Sequence, residues 1–590
     1  MWPLTSISAQ QASREAIESK RACRAEALKH APEFSSEVHQ KYLDATATQI
    51  VENIEARLWT ASDVLEAYLA RAVQAQQATN CFTEVFFDLA REDARKLDAE
   101  FAKTGRLKGT LHGVPISVKD QFDVKGFDSA VGYTQWADRP AQKDAAVVTM
   151  LRKAGAVIIA KTNIPQTLLA FESANPLWGR TLNPWSVAHT AGGSSGGEGA
   201  VIATDGAALG VGSDVGGSIR IPSGYCGIYA LKPGQIRVSY EGTSSKRIAA
   251  DGPNPGFEAV RAVAGPMGRS VADLERMARI LFGERESVEG YYPAPVPYRD
   301  VTLPEKLRFG YYLNDGVVKG SPACHRAVLE TVEALRKVGH ECVEIDAPDA
   351  AQALRLFTGL TSADGYEKLT SPLGPDTRDP ALFLVTLGPR LPNFVRAIAG
   401  WVLRNFVGDT KFASFLAHSR RKSVFQYYGL VADKLAFELR TRTALWSGGH
   451  RRRRTSAVPA VPHGGCDRLA PLACSTLLYN IVDSPVGVIP VTRVDATRDG
   501  LSEEWRAAPG NGSKILEGEI YGRGSKAGAY DARAMDGLPV GVQIIGQAWG
   551  DERLLAIMHI VDAALGPRGF GPGSWTPSRQ NGRAKGGKGQ

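Results

Sequence analysis

The feature that most limits the fold is a short, fully apolar segment that directly follows an amphipathic one. The stretch DAAVVTMLRKAG has apolar residues at helical spacing and ends at Gly155, and AVIIAKTN comes next. A short apolar run that begins at a glycine and is rich in β-branched residues is typical of a strand buried on both faces. A helix followed by such a strand indicates an α/β sheet. The sequence therefore predicts a large, mixed α/β domain.

The rest of the chain is consistent with one main domain and a helical beginning. Residues 1–105 read as helices, with an N-cap signal in TASD, and residues 106–565 form the predicted main domain. Strands are predicted in GVPISVKD, LRFGYYLND and GLPVGVQIIGQ, and a helix with Asp551 as its N-cap follows the last of these. Residues 350–445 read as a helical insertion. The Gly- and Lys-rich tail, residues 566–590, is predicted to be disordered.

Composition argues against several classes of function. Part of the net charge of +8 is concentrated in HRRRR and in the tail, so the charge does not indicate a nucleic-acid surface. The seven cysteines are scattered and form no C-x-x-C pair, which predicts reduced thiols and no zinc site. We find no signal-peptide pattern and no apolar run of the roughly eighteen residues that span a membrane. We therefore expect an intracellular protein, cytoplasmic or peripheral on an internal membrane, and not a secreted one.

The stretch TAGGSSGGEGA, residues 190–200, raises the question of a catalytic serine. It contains G-x-S-x-G twice, centred on Ser194 and on Ser195. A nucleophile elbow needs a buried strand immediately before it, and NPWSVAHT does not read as one. The following GVGSDVGGSIRIP has glycines that could cradle a phosphate, but neither G-x-G-x-x-G nor G-K-[ST] is present. Taken alone, both patterns are weak.

A lysine at the end of a strand is the third local signal. Lys119 ends the apolar part of GVPISVKD, and burying an ammonium is unfavourable unless it is paired or deprotonated. The alternative is that Lys119 lies in water at the strand end, which is the commoner place for a lysine. Lys161, after VIIA, is an equally good local candidate. Local pattern therefore leaves both lysines and the solvated alternative open.

Two longer stretches resemble a known enzyme family. GGSSGGEGAVIATDGAALGVGSDVGGSIRIPSGYCGIYALKP, residues 192–233, is similar to the amidase signature of a family of serine hydrolases, and GVPISVKD is similar to that family's lysine strand. The resemblance extends over residues 45–445 and 471–565. It implies the amidase signature fold, a large, mixed, twisted sheet surrounded by helices. It also implies hydrolysis of carboxylic amide C–N bonds with no cofactor and no metal.

The resemblance also implies roles for individual residues. Ser218 matches the acylated nucleophile, Ser194 the bridging serine that follows a cis peptide bond, and Lys119 the base. The other matches are the oxyanion-hole N–H groups of Val215, Gly216, Gly217 and Ser218, the supporting residues Ser195, Asp214 and Arg220, and the substrate-binding residues Gly193, Leu168, Leu169 and Phe171. A neutral lysine can take the nucleophile's proton through the bridging hydroxyl, provided that burial lowers the lysine pKa from about 10.4.

The class of amide is less closely defined. Parts of the sequence resemble both acetamidase-like enzymes and fatty acid amide hydrolases, and GYYLNDGVVKGSPACHRAVLETVEALRKVGH with the helical insertion resembles the latter more. That resemblance implies fatty acid amides such as N-acylethanolamines as substrates. A short-chain amidase and a non-catalytic amidase-like scaffold are the alternatives. We therefore expect a small-molecule amide with an acyl chain as the partner, and a homodimer is compatible with this expectation.

Residues 390–411, RLPNFVRAIAGWVLRNFVGDTK, read as an interfacial membrane helix. The apolar stripe consists of Leu391, Phe394, Val395, Ile398, Val402 and Phe406, with Trp401 as the interfacial aromatic and Arg390, Arg396, Arg404 and Lys411 as basic partners. A helix that faces the core is the commoner use of such a stripe. The resemblance to fatty acid amide hydrolases favours peripheral membrane contact, through a cap beside the entrance for the acyl chain.

One stretch departs from the family pattern. Where the family has an apolar strand before AVPAVPHG, this chain reads WSGGHRRRRTS. Four arginines cannot replace a buried apolar strand without a large desolvation penalty. Either a genuine loop insertion or a gene-model error over residues 448–456 would produce such a departure, and neither affects the catalytic assignment.

Overall fold

A mixed sheet of eleven strands forms the centre of the molecule. The computed structural model describes residues 2–243, 257–283, 294–446, 451–454, 458–507, 512–523, 525–577 and 580. Its strands are β1 Phe82–Val85, β2 Pro115–Lys119, β3 Val157–Thr162, β4 Ala174–Asn175, β5 Gly179–Arg180, β6 Leu182–Asn183, β7 Ser186–Thr190, β8 Leu209–Asp214, β9 Tyr229–Lys232, β10 Val263–Gly268, β11 Arg308–Tyr311, β12 Glu341–Glu344, β13 Arg451–Arg454, β14 Val486–Arg493 and β15 Pro539–Ile545. β4 pairs with β5 and β6 with β7 in two small separate sheets.

Helices pack around this sheet. They are α1 Trp2–Leu28, α2 Ser36–Leu43, α3 Ala47–Glu55, α4 Ala61–Thr79, α5 Phe87–Thr104, α6 Ala146–Lys153, α7 Gly196–Ala203, α8 Arg220–Cys226, α9 Val271–Leu281, α10 Pro322–Lys337, α11 Ala350–Thr361, α12 Glu367–Thr370, α13 Phe383–Arg390, α14 Asn393–Val402, α15 Thr410–His418, α16 Val424–Trp446, α17 Cys466–Leu469, α18 Cys474–Ile481, α19 Glu503–Ala507, α20 Lys514–Tyr521 and α21 Asp551–Leu565. The predicted helical insertion at 350–445 corresponds to α11–α16.

The strand order of the large sheet is β1-β3-β2-β8-β10-β9-β14-β15-β13-β11-β12. β2 is parallel to β3 and to β8, and β11 is parallel to β12 and to β13. The other neighbouring pairs are antiparallel. The predicted mixed α/β architecture is therefore confirmed.

The parallel strands at one end of the sheet position the chemistry. Every residue of β2, β3 and β8 is buried, because helices cover both faces, so GVPISVKD has no solvated side despite its alternating pattern. β2 ends at Lys119 and the neighbouring β8 ends at Asp214. Because parallel strands end at the same edge of a sheet, these two residues and the loops after them come together.

Two predictions near the helices need correction. The region 1–105 is helical except for β1, which lies at the edge of the large sheet, antiparallel to β3. The N-cap in TASD is confirmed, since the Thr60 side chain accepts from the Asp63 N–H. Asp551 is the first residue of α21, and Gly550 is its N-cap. The Asp551 carboxylate instead accepts the Gly234 N–H at 2.8 Å, which joins the helix start to a distant loop.

The arginine-rich stretch and part of the tail are both ordered elements. Residues 451–454 form β13, a strand of the large sheet whose backbone pairs with β11 and β15. Residues 448–450 and 455–456 lie outside the described part of the chain. In the tail, the Trp575 ring is fully buried and its Nε1 donates to the Pro184 carbonyl at 3.0 Å, in contrast to the disorder predicted from residue 566. Residues 581–590 lie outside the description.

The cysteines form no disulfides, in agreement with the predicted reduced thiols. Six of the seven are buried, and Cys23 is exposed. Within the described ranges, no helix combines the length and apolar character that crossing a bilayer requires.

Candidate active site

Lys119 is fully buried beside two serine hydroxyls. Its Nζ lies 2.7 Å from Ser194 Oγ and 2.8 Å from Ser213 Oγ. Burial lowers the pKa of Lys119 from 10.5 to about 7, although nearby carboxylates act in the opposite direction. The alternative in which Lys119 lies in water is therefore wrong. Near neutral pH a large fraction of this amine is uncharged and able to accept a proton.

Ser194 and Ser218 lie on two loops that are joined through their backbones. The Gly193–Ser194 peptide bond is cis, as the resemblance implies. The Ser195 N–H donates to the Ser218 carbonyl at 3.1 Å, and the side chains of Ser194 and Ser218 line the same cavity. Among the described residues, no hydrogen bond joins the two hydroxyls directly. The predicted relay is therefore connected from Lys119 to Ser194, and it lacks the contact between Ser194 and Ser218. Catalytic hydrogen bonds are often long in a site without substrate and shorten when the substrate binds.

Ser213 is a contact of Lys119 that the sequence analysis missed. Its hydroxyl is as close to Lys119 as that of Ser194, and it donates to Gln121 Oε1 at 2.6 Å. Gln121 Nε2 then donates to the Tyr240 hydroxyl at 2.5 Å. Ser213 and Gln121 each stand within two residues of a motif residue, so their positions at two neighbouring strand ends were a usable signal. Tyr240 comes from a separate loop that no local pattern marks.

Asp214 and Arg220, the predicted supporting residues, form a fully buried ion pair. Arg220 Nη2 lies 2.9 Å from Asp214 Oδ1, and Nε lies 3.0 Å from Oδ2. Arg220 also donates to the Thr476 carbonyl and to the side chains of Asn480 and Gln543. Burial alone would raise the pKa of Asp214, but the guanidinium outweighs burial and holds it well below its usual range. The pair therefore stays charged across the range in which enzymes work.

The loop from Val215 to Ser218 carries the predicted oxyanion donors. The Gly217 N–H donates to Asp214 Oδ1 at 2.8 Å, so the structure differs from the prediction, because this donor is already held by a carboxylate. The φ of Gly217 is +129°, which glycine adopts readily. Among the described residues, the N–H groups of Val215, Gly216 and Ser218 have no acceptor within the protein. These three remain the candidate oxyanion donors.

Ser195 and Glu198 support the site from α7 and its start. Ser195 Oγ lies 3.4 Å from both the amide nitrogen and the carbonyl oxygen of Ser213. Glu198, which the sequence analysis did not single out, is fully buried and accepts from Ser117 at 2.7 Å and from Thr162 at 2.8 Å. Burial raises the pKa of Glu198 to about 8. Glu198 therefore ties together β2, β3 and α7 with a carboxyl group that is largely protonated at neutral pH.

Lys161 is also buried, but it serves a different place. It lies opposite Val118 in the pairing of β2 with β3, and neighbouring residues of a strand point to opposite faces. Its Nζ donates to the Asp128 carbonyl at 2.5 Å and to Ser129 Oγ at 2.7 Å. Of the two candidate lysines, Lys119 therefore contacts Ser194, whereas Lys161 contacts the loop at Asp128 and Ser129.

Two cavities meet at Ser218. They enclose about 1120 Å³ and about 770 Å³, open solvent included. The walls that they share are Leu168, Leu169, Val215, Ser218, Phe357, Thr361 and Tyr366. The larger cavity also has polar groups from Gln121, Ser239 and Tyr240, whereas Gly193, Phe171 and a mostly apolar set of side chains line the smaller one. All four predicted substrate-binding residues therefore border the apolar cavity.

The segment 390–411 presents its apolar stripe away from the core. It runs from the end of α13 through α14 and a π-helical turn over Leu403–Val407 into the start of α15. The exposed fractions are 68% for Phe394, 58% for Ile398, 53% for Trp401, 38% for Val402 and 74% for Phe406, whereas Leu391 and Val395 are half-buried. A core-facing stripe is therefore wrong. Arg390 and Arg404 are exposed, but Arg396 is buried and donates to two carbonyls, which corrects its assignment as a surface basic partner.

Comparisons with known proteins identify the family to which this chain is similar. The family model described as Amidase matches residues 63–401. Similar curated proteins include Amidase 1 of Gibberella moniliformis (34% identical, covering 87% of this chain and 91% of the relative), Acetamidase of Emericella nidulans (32%, 90% and 91%) and Fatty-acid amide hydrolase 1 of Sus scrofa (31%, 91% and 88%). A solved structure of fatty acid amide hydrolase superposes with a TM-score of 0.79 at 26% identity, covering 95% of both chains.

Proposed function

Because the chain belongs to the amidase family and is a hydrolase that acts on amides, we propose that it cleaves fatty acid amides through an acyl-enzyme on Ser218. In this proposal Lys119 is the base and Ser194 carries the proton between them. The observation that supports it most directly is a fully buried lysine whose pKa is about 7, 2.7 Å from the Ser194 hydroxyl. An amine of that pKa matches the requirement for general-base catalysis near neutral pH.

The proposed reaction has two halves. Ser218 Oγ attacks the amide carbonyl carbon while its proton passes to Ser194 Oγ, and the Ser194 proton passes to Lys119 Nζ. The relay then returns a proton to the leaving nitrogen, the C–N bond breaks and the amine departs. Water attacks the acyl-enzyme, loses its proton through the same relay, and the acid leaves as Ser218 regains its proton.

Developing negative charge on the carbonyl oxygen needs nearby donors. The N–H groups of Val215, Gly216 and Ser218 are proposed for this role, since they border the cavities at the nucleophile. A donor of this kind typically lowers the barrier by about 3 kcal/mol. The buried ion pair of Asp214 and Arg220 holds the loop that carries them.

The cavities support an acyl chain as the substrate's distinguishing part. The smaller cavity begins at Ser218 and continues between apolar side chains that include Leu354, Val385 and Phe415. Apolar walls favour a hydrocarbon chain over a polar group. The larger cavity is also lined mostly by apolar side chains, but its polar groups from Gln121, Ser239 and Tyr240 suit the amine part of an N-acylethanolamine. A short-chain amide would leave most of the apolar wall without contact.

We also propose that the exposed stripe of residues 390–411 contacts a membrane peripherally. The stripe lies in α14 and the turns that flank it, and the next helix, α15, lines the apolar cavity through Phe415. Long-chain amides partition into bilayers, and a site that opens beside one would receive them directly. Vesicle sedimentation of the full chain tests this. Binding that is lost in Phe394→Glu/Phe406→Glu supports membrane contact, and equal sedimentation of both proteins contradicts it.

A substrate panel tests the catalytic proposal. Hydrolysis of acetamide and of a long-chain N-acylethanolamide should be measured for the natural chain, Ser218→Ala and Lys119→Ala. We expect preference for the long-chain amide, and a loss in Lys119→Ala within the range of 10²–10⁴-fold that a positioned base supplies. Ser484→Ala, a buried serine elsewhere in the chain, is the matched control.

The outcomes separate the alternatives. A strong preference for acetamide would indicate a short-chain amidase. Failure of a fluorophosphonate probe to label Ser218, both in the natural chain and in Ser484→Ala, would indicate a non-catalytic scaffold. Full activity in Lys119→Ala would contradict the assignment of the base.

A further inference from the structure

A chain of hydrogen bonds continues from the base into the wall of the larger cavity. Lys119 Nζ contacts Ser213 Oγ at 2.8 Å, Ser213 Oγ contacts Gln121 Oε1 at 2.6 Å, and Gln121 Nε2 contacts the Tyr240 hydroxyl at 2.5 Å. Gln121, Ser213 and Tyr240 all line that cavity. The proton relay proposed above uses Lys119 but none of the side chains of Gln121, Ser213 and Tyr240.

The direction of these bonds follows from the chemistry of the groups. An amide oxygen can only accept and an amide nitrogen can only donate, so Ser213 donates its single proton to Gln121 Oε1. A serine hydroxyl that has given its proton away can only accept from the lysine. Neutral Lys119 therefore donates an N–H to Ser213, and its one lone pair remains for the Ser194 proton.

We propose that Gln121 is a positioning residue for the base, and that Tyr240 holds the Gln121 amide in place. The inference rests on the proposed function of Lys119. Without the Gln121 oxygen, the proton of Ser213 has the lysine lone pair as its nearest acceptor. The lysine lone pair would then accept from Ser213 instead of Ser194, and this hydrogen bond would oppose protonation of the amine during the reaction.

The surroundings of the base define what a test must keep constant. Lys119 is influenced by the acidic side chains of Asp214, Glu198 and Asp120, which come from β8, α7 and the loop after β2. None of the variants below removes these groups. Changes in the acid limb of the pH profile of kcat can therefore be attributed to the Gln121 position.

Two substitutions at one position should move that acid limb in opposite directions. Gln121→Met removes the acceptor and favours the neutral amine, so we expect the apparent pKa to fall while kcat falls about tenfold, part of what a positioned base supplies. Gln121→Glu keeps the acceptor and adds a negative charge, so we expect the apparent pKa to rise by about one unit. Tyr240→Phe should change the profile in the direction of Gln121→Met, by a smaller amount.

Matched controls distinguish positioning from stability. Gln76→Met removes a glutamine that bonds Asn80 and the Phe82 N–H, and Tyr229→Phe removes a hydroxyl that bonds Asp562 at 2.8 Å. Both can lower the melting temperature, and neither should move the acid limb. Gln121→Glu has nearly the same shape as the natural residue, so it provides a result even where Gln121→Met folds poorly.

The result that would overturn the inference is an acid limb that stays unchanged in Gln121→Glu and Gln121→Met, or that moves the same way in both. This failure is distinguishable from failure of the proposed function. If the proposed function fails, Lys119→Ala keeps its activity. If only the inference about Gln121 fails, Lys119→Ala loses activity while the acid limb stays unchanged in the Gln121 variants.

Discussion

Replacing Asp214 by asparagine should separate the stability of the site from its catalysis. The Asp214 carboxylate accepts from the Gly217 and Ile219 N–H groups at 2.8 and 3.1 Å, from two Arg220 nitrogens, and from Asn480 at 2.8 Å. An asparagine offers one oxygen, and its NH₂ would face donors on the other side. Arg220 would then be a fully buried cation without a counter-charge.

The expected loss is large for a change that adds no volume. Removing one partner of a buried ion pair typically lowers the free energy of unfolding by about 3–5 kcal/mol. Removing the positive charge of Arg220 as well, in Asp214→Asn/Arg220→Met, should recover much of that loss in the free energy of unfolding, because an apolar group replaces the unpaired cation. Activity should not recover in the double variant, because the loop from Val215 to Ser218 still lacks its anchor.

Urea unfolding and amide hydrolysis measure the two effects. The Asp214 pKa is lowered in the folded state, so its contribution to stability is present above its ordinary pKa of about 3.9 and decreases as the pH falls further. The difference between Asp214→Asn and the natural chain should therefore narrow below about pH 4. A loss under about 1 kcal/mol at pH 7, or strictly additive losses in the double variant, would refute this reasoning.

Three further predictions concern other parts of the molecule. Gly217→Ala should lower kcat about 100-fold, because the new Cβ would lie 2.2 Å from Thr476 Oγ1. Gly216→Ala should lower kcat much less, because its Cβ would lie 3.2 Å from the nearest atom, in the Phe357 ring, and equal hydrolysis rates in the two variants would contradict this prediction. Trp575→Ala should lower the free energy of unfolding by about 3–5 kcal/mol in urea titrations, and a change below about 1 kcal/mol would mean that the C-terminal segment does not pack as described. Burial raises the pKa of Glu198 to about 8, so the natural chain loses stability as the pH rises toward that value. The free energy of unfolding of Glu198→Gln should therefore increase relative to that of the natural chain between about pH 5 and 8, and a constant difference in urea titrations over this range would contradict the prediction.

The strands that position the site could be predicted because their patterns are local. β3 is a short apolar run that begins beside a glycine, and β2 ends in the lysine that the family resemblance assigns as the base. β1 was missed because its four residues, with Thr83 and Glu84 at the centre, show neither alternation nor an apolar run between two helices. Its strand character comes from pairing with β3, a contact that only the folded chain provides.

The site shows the same division between local and distant information. Lys119 Nζ and Ser194 Oγ, predicted as partners, lie 2.7 Å apart, and Asp214 and Arg220, predicted as supporting residues, form a buried ion pair. Asn480 reaches Asp214 from 266 residues away, and no short motif marks a partner at that separation. The Gly217 amide was predicted by resemblance as an oxyanion donor, but the carboxylate three residues earlier competes for it.

The order of the large sheet has a consequence for biosynthesis. β13, β11 and β12 join the remaining strands only through β15, which reaches its neighbours β13 and β14 near the end of the chain. A nascent chain emerges from its N-terminus and its earlier parts fold first, so β11 and β12 leave the ribosome long before the strand that connects them to the other seven strands. Until β15 is translated, unpaired strand edges remain open to other chains. A product that stops before residue 539 would hold two separate pieces of sheet, one of seven strands and one of three, and we expect it to aggregate instead of folding into a smaller enzyme.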